Sequence, residues 1–193
     1  MFFRSLVAAW LFVSLQSCTY RPIPADEVVE ANVELPIGWL ALAEQGDADA
    51  QRNLGLMYDN GDGVPENDIE AVKWYRLAAE QGDALAQSYL GLMYADGEGI
   101  PENDIEAVEW YRLAAQQGLA QAQYNLGVMY ANGEGAPTND INAYAWWSLA
   151  ATQGHESASE NKGIITKRMT RQQIAEAQAY ATRCFENDYK GCD

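Results

Sequence analysis

Three groups of residues in this chain have types that could do chemistry. The first is the loop Asp59-Asn60-Gly61-Asp62-Gly63 with Glu66 and Asp68, which mixes oxygen donors and glycines. A calcium loop needs acids at alternate positions and a closing bidentate acid. This stretch lacks that alternation, with Gly61 and Gly63 at the third and fifth positions, and one period later Asp59 is replaced by Ala95 and then by Ala131. The second is His155, the only histidine, with no Cys or second His at ligand spacing. The third is the set Cys18, Cys184 and Cys192. The acids are spread evenly, so no carboxylate pair stands out for acid–base work. No glycine-rich phosphate loop and no nucleophile elbow occurs. We therefore expect no catalytic residue, no metal and no cofactor.

The elements that position these residues repeat. The stretch Gly46–Gln81 returns as Gly82–Gln117 and Gly118–Gln153, a period of 36 residues without insertion. A fixed period in this range marks stacked repeats. In the first half of each unit, Ala50, Leu54, Met57 and Tyr58 lie on one face of a helix. In the second half Asp68 is read as N-cap, with Ile69, Val72, Leu77, Ala78 and Ala79 as the buried side and Trp74 and Tyr75 as added bulk. Gly82 stands where a helix end needs positive φ. Such a hairpin cannot bury its apolar face alone and must stack on its neighbours. The expected fold is all-α, an α/α solenoid of helix hairpins spanning 35–187 and closed by a C-terminal capping helix. It comprises repeats 46–81, 82–117 and 118–153, a degenerate copy 154–187 and a tail 188–193. A half-repeat ending at Glu44-Gln45 precedes the first full copy. Thr170 and Gln173 have the spacing of a capping box that starts the closing helix.

Ala50, Ala86 and Ala122 are identical across copies, as are Gly55, Gly91 and Gly127, which marks close helix crossings. Tyr58, Tyr94 and Tyr130 recur, as do Trp74, Trp110 and Trp146, and these ladders are assigned to the core. The pattern of Ala50, Leu54, Gly55, Tyr58, Gly61 and Gly63, then Asp68, Ala71, Trp74, Ala78, Ala79 and Gly82, resembles the Sel-one-like repeat, a relative of the TPR solenoid. That resemblance implies a non-enzymatic scaffold that binds other proteins. It also implies that the first helix of each hairpin lines the concave surface. A step of roughly 100° per residue then turns Arg52, Leu56 and Asp59 away from the packing face. Their counterparts are Ser88, Leu92 and Ala95, then Tyr124, Val128 and Ala131. Arg52, Leu56, Asp59, Ser88, Leu92, Tyr124 and Val128 are thus the candidate partner-binding residues. The alternative is that such positions vary because solvent tolerates any side chain.

Residues 1–17 read as a processing signal. Arg4 is followed by the apolar run Ser5–Leu15, too short to span a bilayer. Leu15-Gln16-Ser17-Cys18 resembles the lipobox of bacterial lipoproteins, although Gln16 stands where a small residue is usual. The resemblance implies a lipid on Cys18, with residues 18–34 as a tether. Thr19, where an Asp would retain a Gram-negative lipoprotein in the inner membrane, implies the periplasmic side of the outer membrane. An ordinary cleaved signal or an uncleaved anchor are the alternatives. With Cys18 acylated, Cys184 and Cys192 are left to pair in an oxidising periplasm, the alternative being two free thiols.

The formal net charge of −16 argues against nucleic-acid partners, whose phosphates would be repelled. It favours a basic protein. The expected role is an inhibitor or immunity protein against a secreted antibacterial effector. A periplasmic scaffold or regulator of envelope assembly is the neighbouring reading. Some cysteine-rich relatives bind or hydrolyse β-lactams, but they carry a Cys pair in each repeat, and this chain does not.

Overall fold

The computed structural model describes residues 37–192. The expected signal segment, Cys18 and the tether lie outside the described residues. The described residues form nine helices in chain order. These are α1 (Ile37–Glu44), α2 (Ala48–Asn60), α3 (Asp68–Glu80), α4 (Ala84–Asp96), α5 (Asp104–Ala115), α6 (Ala120–Asn132), α7 (Asp140–Thr152), α8 (Glu156–Ile165) and α9 (Arg171–Glu186). Helices α2–α3, α4–α5 and α6–α7 are three hairpins, and each second helix also packs on the first helix of the next unit. The fold is an α/α solenoid with a period of about 36 residues.

Local chemistry sets the helix ends. Asp47 and Asp83 cap α2 and α4, each carboxylate accepting a 2.7 Å bond from the backbone N–H of Ala50 or Ala86. Gly61, Gly97 and Gly133 end the first helices in the left-handed conformation, donating to the carbonyls of Met57, Met93 and Met129. The N-cap of α3 is Asn67 rather than Asp68. Asn67 holds an extended backbone and accepts from Glu70 N–H at 3.2 Å, and Asn103 and Asn139 repeat the arrangement. Asp68 is instead the first helical residue, where its charge favours the positive end of the helix dipole.

The buried side of α3 is Ala71, Val72, Tyr75, Ala78 and Ala79. Ile69 and Leu77, expected inside, are 59% and 44% exposed. A helix shows one apolar stripe to its neighbours, and these two sit off it, on the outer side of the array. The aromatic ladder also shifts by one residue. Trp146 is fully buried but Trp74 and Trp110 are only half-buried, whereas Tyr75, Tyr111 and Trp147 fill the core. Their rings lie on the helical glycines. A Cβ on Gly55 would come within 2.5 Å of the Tyr75 ring, on Gly91 within 2.9 Å of Tyr111, and on Gly127 within 2.5 Å of Trp147 Nε1. These crossings exist only because the side chain is absent.

The fourth copy departs from the hairpin plan. Helix α8 stacks on α7, but α9 also lies on α7 instead of pairing with α8. Leu149 is consequently 2% exposed, while its equivalents Leu77 and Leu113, on the uncovered helices, are both 44% exposed. Thr170 and Gln173 close the capping box that starts α9. A disulfide joins Cys184 to Cys192 with their Cα atoms 5.7 Å apart. The loop it closes turns back on the second hairpin, where the Gln116 side chain donates to the Cys192 carbonyl at 2.9 Å. Tyr189 covers Gly118 there.

Two glycines in one turn separate conformational from contact cost. Gly97 and Gly99 both have positive φ, but a Cβ on Gly97 meets only Glu102, at 3.3 Å, whereas on Gly99 it falls 2.3 Å from the Asp68 carbonyl oxygen of the preceding repeat. Gly97→Ala is expected to cost about 1–2 kcal/mol, the left-handed penalty alone. Gly99→Ala should cost roughly a further 1–3 kcal/mol through the clash. Urea denaturation of the two variants measures the difference, and equal midpoints would contradict the stacking contact.

Candidate protein-binding face

The seven expected partner residues divide into two sets with different jobs. Arg52, Ser88 and Tyr124 occupy one register, and the structure turns them toward the next hairpin. The Arg52 guanidinium bridges Asp49, at 2.8 Å, and Asp83, the N-cap of α4. Burial alone would lower the Arg52 pKa, but Asp83 and Asp49 outweigh it and hold it above its ordinary value. Ser88 is 7% exposed, so its placement on an open face is corrected. Tyr124 stacks on His155, ring centroids 4.5 Å apart and planes 16° apart. His155 is the N-cap of α8, its Nδ1 accepting from Ala158 N–H at 3.3 Å. The reason is geometric. A solenoid helix has neighbours on both flanks, so the side opposite one packing face is the next repeat rather than solvent. Variation at this register therefore accompanies variation at the cap it meets, Arg with Asp and Tyr with His.

Asp59 is also engaged internally. It accepts a 3.0 Å bond from the Tyr75 hydroxyl. Burial first, and then this carboxylate, push the Tyr75 pKa far above its ordinary value. Where Ala95 replaces Asp59, Tyr111 is likewise shifted upward, by burial and by nearby Asp96.

Leu56, Leu92 and Val128 behave differently, and the register continues to Ile164 in the fourth copy. All four are apolar. Leu92 is 42% and Ile164 62% exposed, while Leu56 and Val128 are half-buried. Between α6 and α8 the row opens into a recess lined by Val128, Ile164, Trp147 and Arg168. Arg168 is held there by two bonds to the Asp140 carboxylate, at 2.9 and 2.6 Å, and one to the Ala131 carbonyl. The structure thus brings together an apolar row crossing every first helix of the array, with a fixed cation at its C-terminal end.

A second ladder is absent from the sequence reading. Gln51, Gln87 and Gln123 are buried polar residues. Each side-chain amide donates backward, to the carbonyl of Ala43, Ala79 or Ala115, at 3.0, 3.1 and 3.2 Å. Each side-chain oxygen accepts from Gln81, Gln117 or Gln153, at 2.6, 2.8 and 2.9 Å. One glutamine so ties three successive helices. Its signal was available, because the residue is identical at every copy in the same way as Gly55.

A stack of helix hairpins with an open row of side chains along its first helices is a protein–protein interaction fold. Three Sel1 repeats match residues 48–83, 84–119 and 120–155, more than half of the chain, and the chain belongs to the Sel1 repeat family. Among solved structures it is similar to a Sel1 repeat protein from Oxalobacter formigenes. The two are 40% identical with a TM-score of 0.61, over 66% of this chain and 96% of that one. It is also similar to a protective antigen of uropathogenic Escherichia coli strains that displays the SLR fold. That pair is 30% identical with a TM-score of 0.49, over 78% of this chain and 41% of the other. No curated protein shows significant similarity.

The division into joint and face is testable by stability. Arg52→Ala strips the charged partner from Asp83 and is expected to cost about 1–3 kcal/mol. Leu92→Ser should stay within about 0.5 kcal/mol of the parent. Chemical denaturation of both variants checks this. The assignment fails if Leu92→Ser is the more damaging change.

Proposed function

We propose that this chain binds a basic protein along the row Leu56, Leu92, Val128 and Ile164, and that a lipid on Cys18 holds it at the periplasmic side of the outer membrane. The observation that carries the reading is the row itself. This register is apolar in four copies, its most exposed members are 42% and 62% open, and at its C-terminal end it opens into a recess. The net charge of −16 adds long-range attraction for a cationic partner and accelerates encounter with it. Envelope placement, an apolar binding row and a strongly acidic chain together suit an inhibitor or immunity protein that occupies a secreted, basic antibacterial effector. The chain's part is steric and electrostatic occupation of the partner, with no bond made or broken.

The test is affinity capture from envelope extract with full-length wild type and with a Leu92→Glu, Ile164→Glu double variant whose helicity and melting temperature match the parent. The wild type should enrich one basic protein, and the double variant should lose it by about tenfold or more. Equal capture by the two would reject the face. If the partner is an effector, expression of this chain should protect a sensitive strain from it, and loss of the row should abolish that protection. The anchor is tested separately with a fatty-acid analogue. Label should enter the wild type and be absent from Cys18→Ser.

A further inference from the structure

The fourth copy places a cation where the others have core. Leu54, Leu90 and Leu126 occupy one register and are fully buried between the helices of their hairpins. The same register in the fourth copy is Lys162. Because α9 packs on α7 and not in the second-helix position beside α8, the space is left open. It forms a cavity of about 380 Å³ among α7, α8 and α9, within the range of small-molecule sites.

The walls differ from the other repeats at the positions that face this space. Arg76 and Arg112 reach the next hairpin and donate to the Tyr94 and Tyr130 hydroxyls at 3.0 and 3.4 Å. Their equivalent is Ser148, which lines the cavity. Val72 and Val108 become Tyr144, and Glu80 and Gln116 become Thr152, both also lining it. Coverage by α9 alone would call for apolar filling here. The third repeat instead loses an Arg, gains three hydroxyls and keeps the space empty. Leu149 and the 60% exposed Phe185 supply the apolar wall and rim. The ammonium of Lys162 lies 6.0 Å from the Tyr144 ring centroid, and no described carboxylate is within ion-pairing distance of it. Lys162 is the one charged residue of the lining, in a chain where acids outnumber bases 28 to 12.

The geometry points to a binding site for a small monocarboxylate with an apolar body. The carboxylate pairs with Lys162 and takes hydroxyl contacts from Ser148, while the apolar body rests on Leu149 and Phe185. Two sources share this chemistry, a free organic acid and the C-terminal residue of a peptide. The site lies apart from the Leu56–Ile164 row and does not depend on the function proposed above.

Calorimetric titration of the full chain tests it with four probes: 3-phenylpropanoate, 3-phenylpropanamide, and a hexapeptide ending in phenylalanine as the free acid or as the amide. Saturable binding of at least one acid is expected, about tenfold or more tighter than its amide. It should be lost in Lys162→Met, a change toward the leucine of the other copies, with near-UV circular dichroism unchanged. Preference for 3-phenylpropanoate assigns a free acid, and preference for the peptide acid assigns a C-terminus. Acid and amide binding alike, no saturation up to about 10 mM, or unchanged binding in Lys162→Met overturns the site. Should Lys162→Met fail to fold, Ser148→Leu, which fills the cavity from α7, decides by the same criteria.

Discussion

Close contact between a helical glycine and the aromatic ring of its hairpin partner is the constraint on which this molecule depends. Gly55 meets Tyr75, Gly91 meets Tyr111 and Gly127 meets Trp147. Each contact lets two helices approach until the alanines beside them, such as Ala50 and Ala71, are completely buried. The apolar area removed by one hairpin is small, and the rest comes from the next hairpin in the stack. The rings are interchangeable between Tyr and Trp, but the glycine is not, because no side chain can retreat from a ring at that distance.

Polar groups then fix how one unit sits on the next. The buried glutamines satisfy helix-end carbonyls that would otherwise be costly to bury, and each accepts a bond from the helix end of its own hairpin. The pairs Arg52–Asp83 and Tyr124–His155 do similar work along the first helices, joining a mid-helix side chain to the cap of the following helix. With both flanks of each first helix occupied, only a narrow strip remains open. The row from Leu56 to Ile164 runs along it.

Much of this was legible in the sequence because repetition exposes it. The period, the hairpins, the positive-φ glycines such as Gly82 and the Thr170 capping box all follow from local residue chemistry. Identity across copies could also have marked Gln51, Gln87 and Gln123, but a glutamine reads as surface until its partners are known. The errors have a common cause. Ile69 and Leu77 look like core by residue type, and Ser88 looks like surface, yet burial is decided by which flank a neighbouring hairpin covers. A helical wheel describes one helix and contains no neighbour. The position of α9 was illegible for the same reason. Its amphipathic pattern says that it covers something, and only the fold shows that it covers α7 and leaves α8 without a hairpin partner.

The loop closed by Cys184 and Cys192 gives the array a property that repeat proteins usually lack. In a plain stack every contact is between neighbours in sequence, so the ends fray and each unit opens nearly independently. Here the bond from Gln116 to the Cys192 carbonyl spans 76 residues, and Tyr189 rests on Gly118. To free the second hairpin from this side, the terminal loop must first let go. To free the loop, α9 must lift from α7. The C-terminal half of the solenoid is therefore coupled into one cooperative block, slower to assemble for its long loop closure and harder to open once formed.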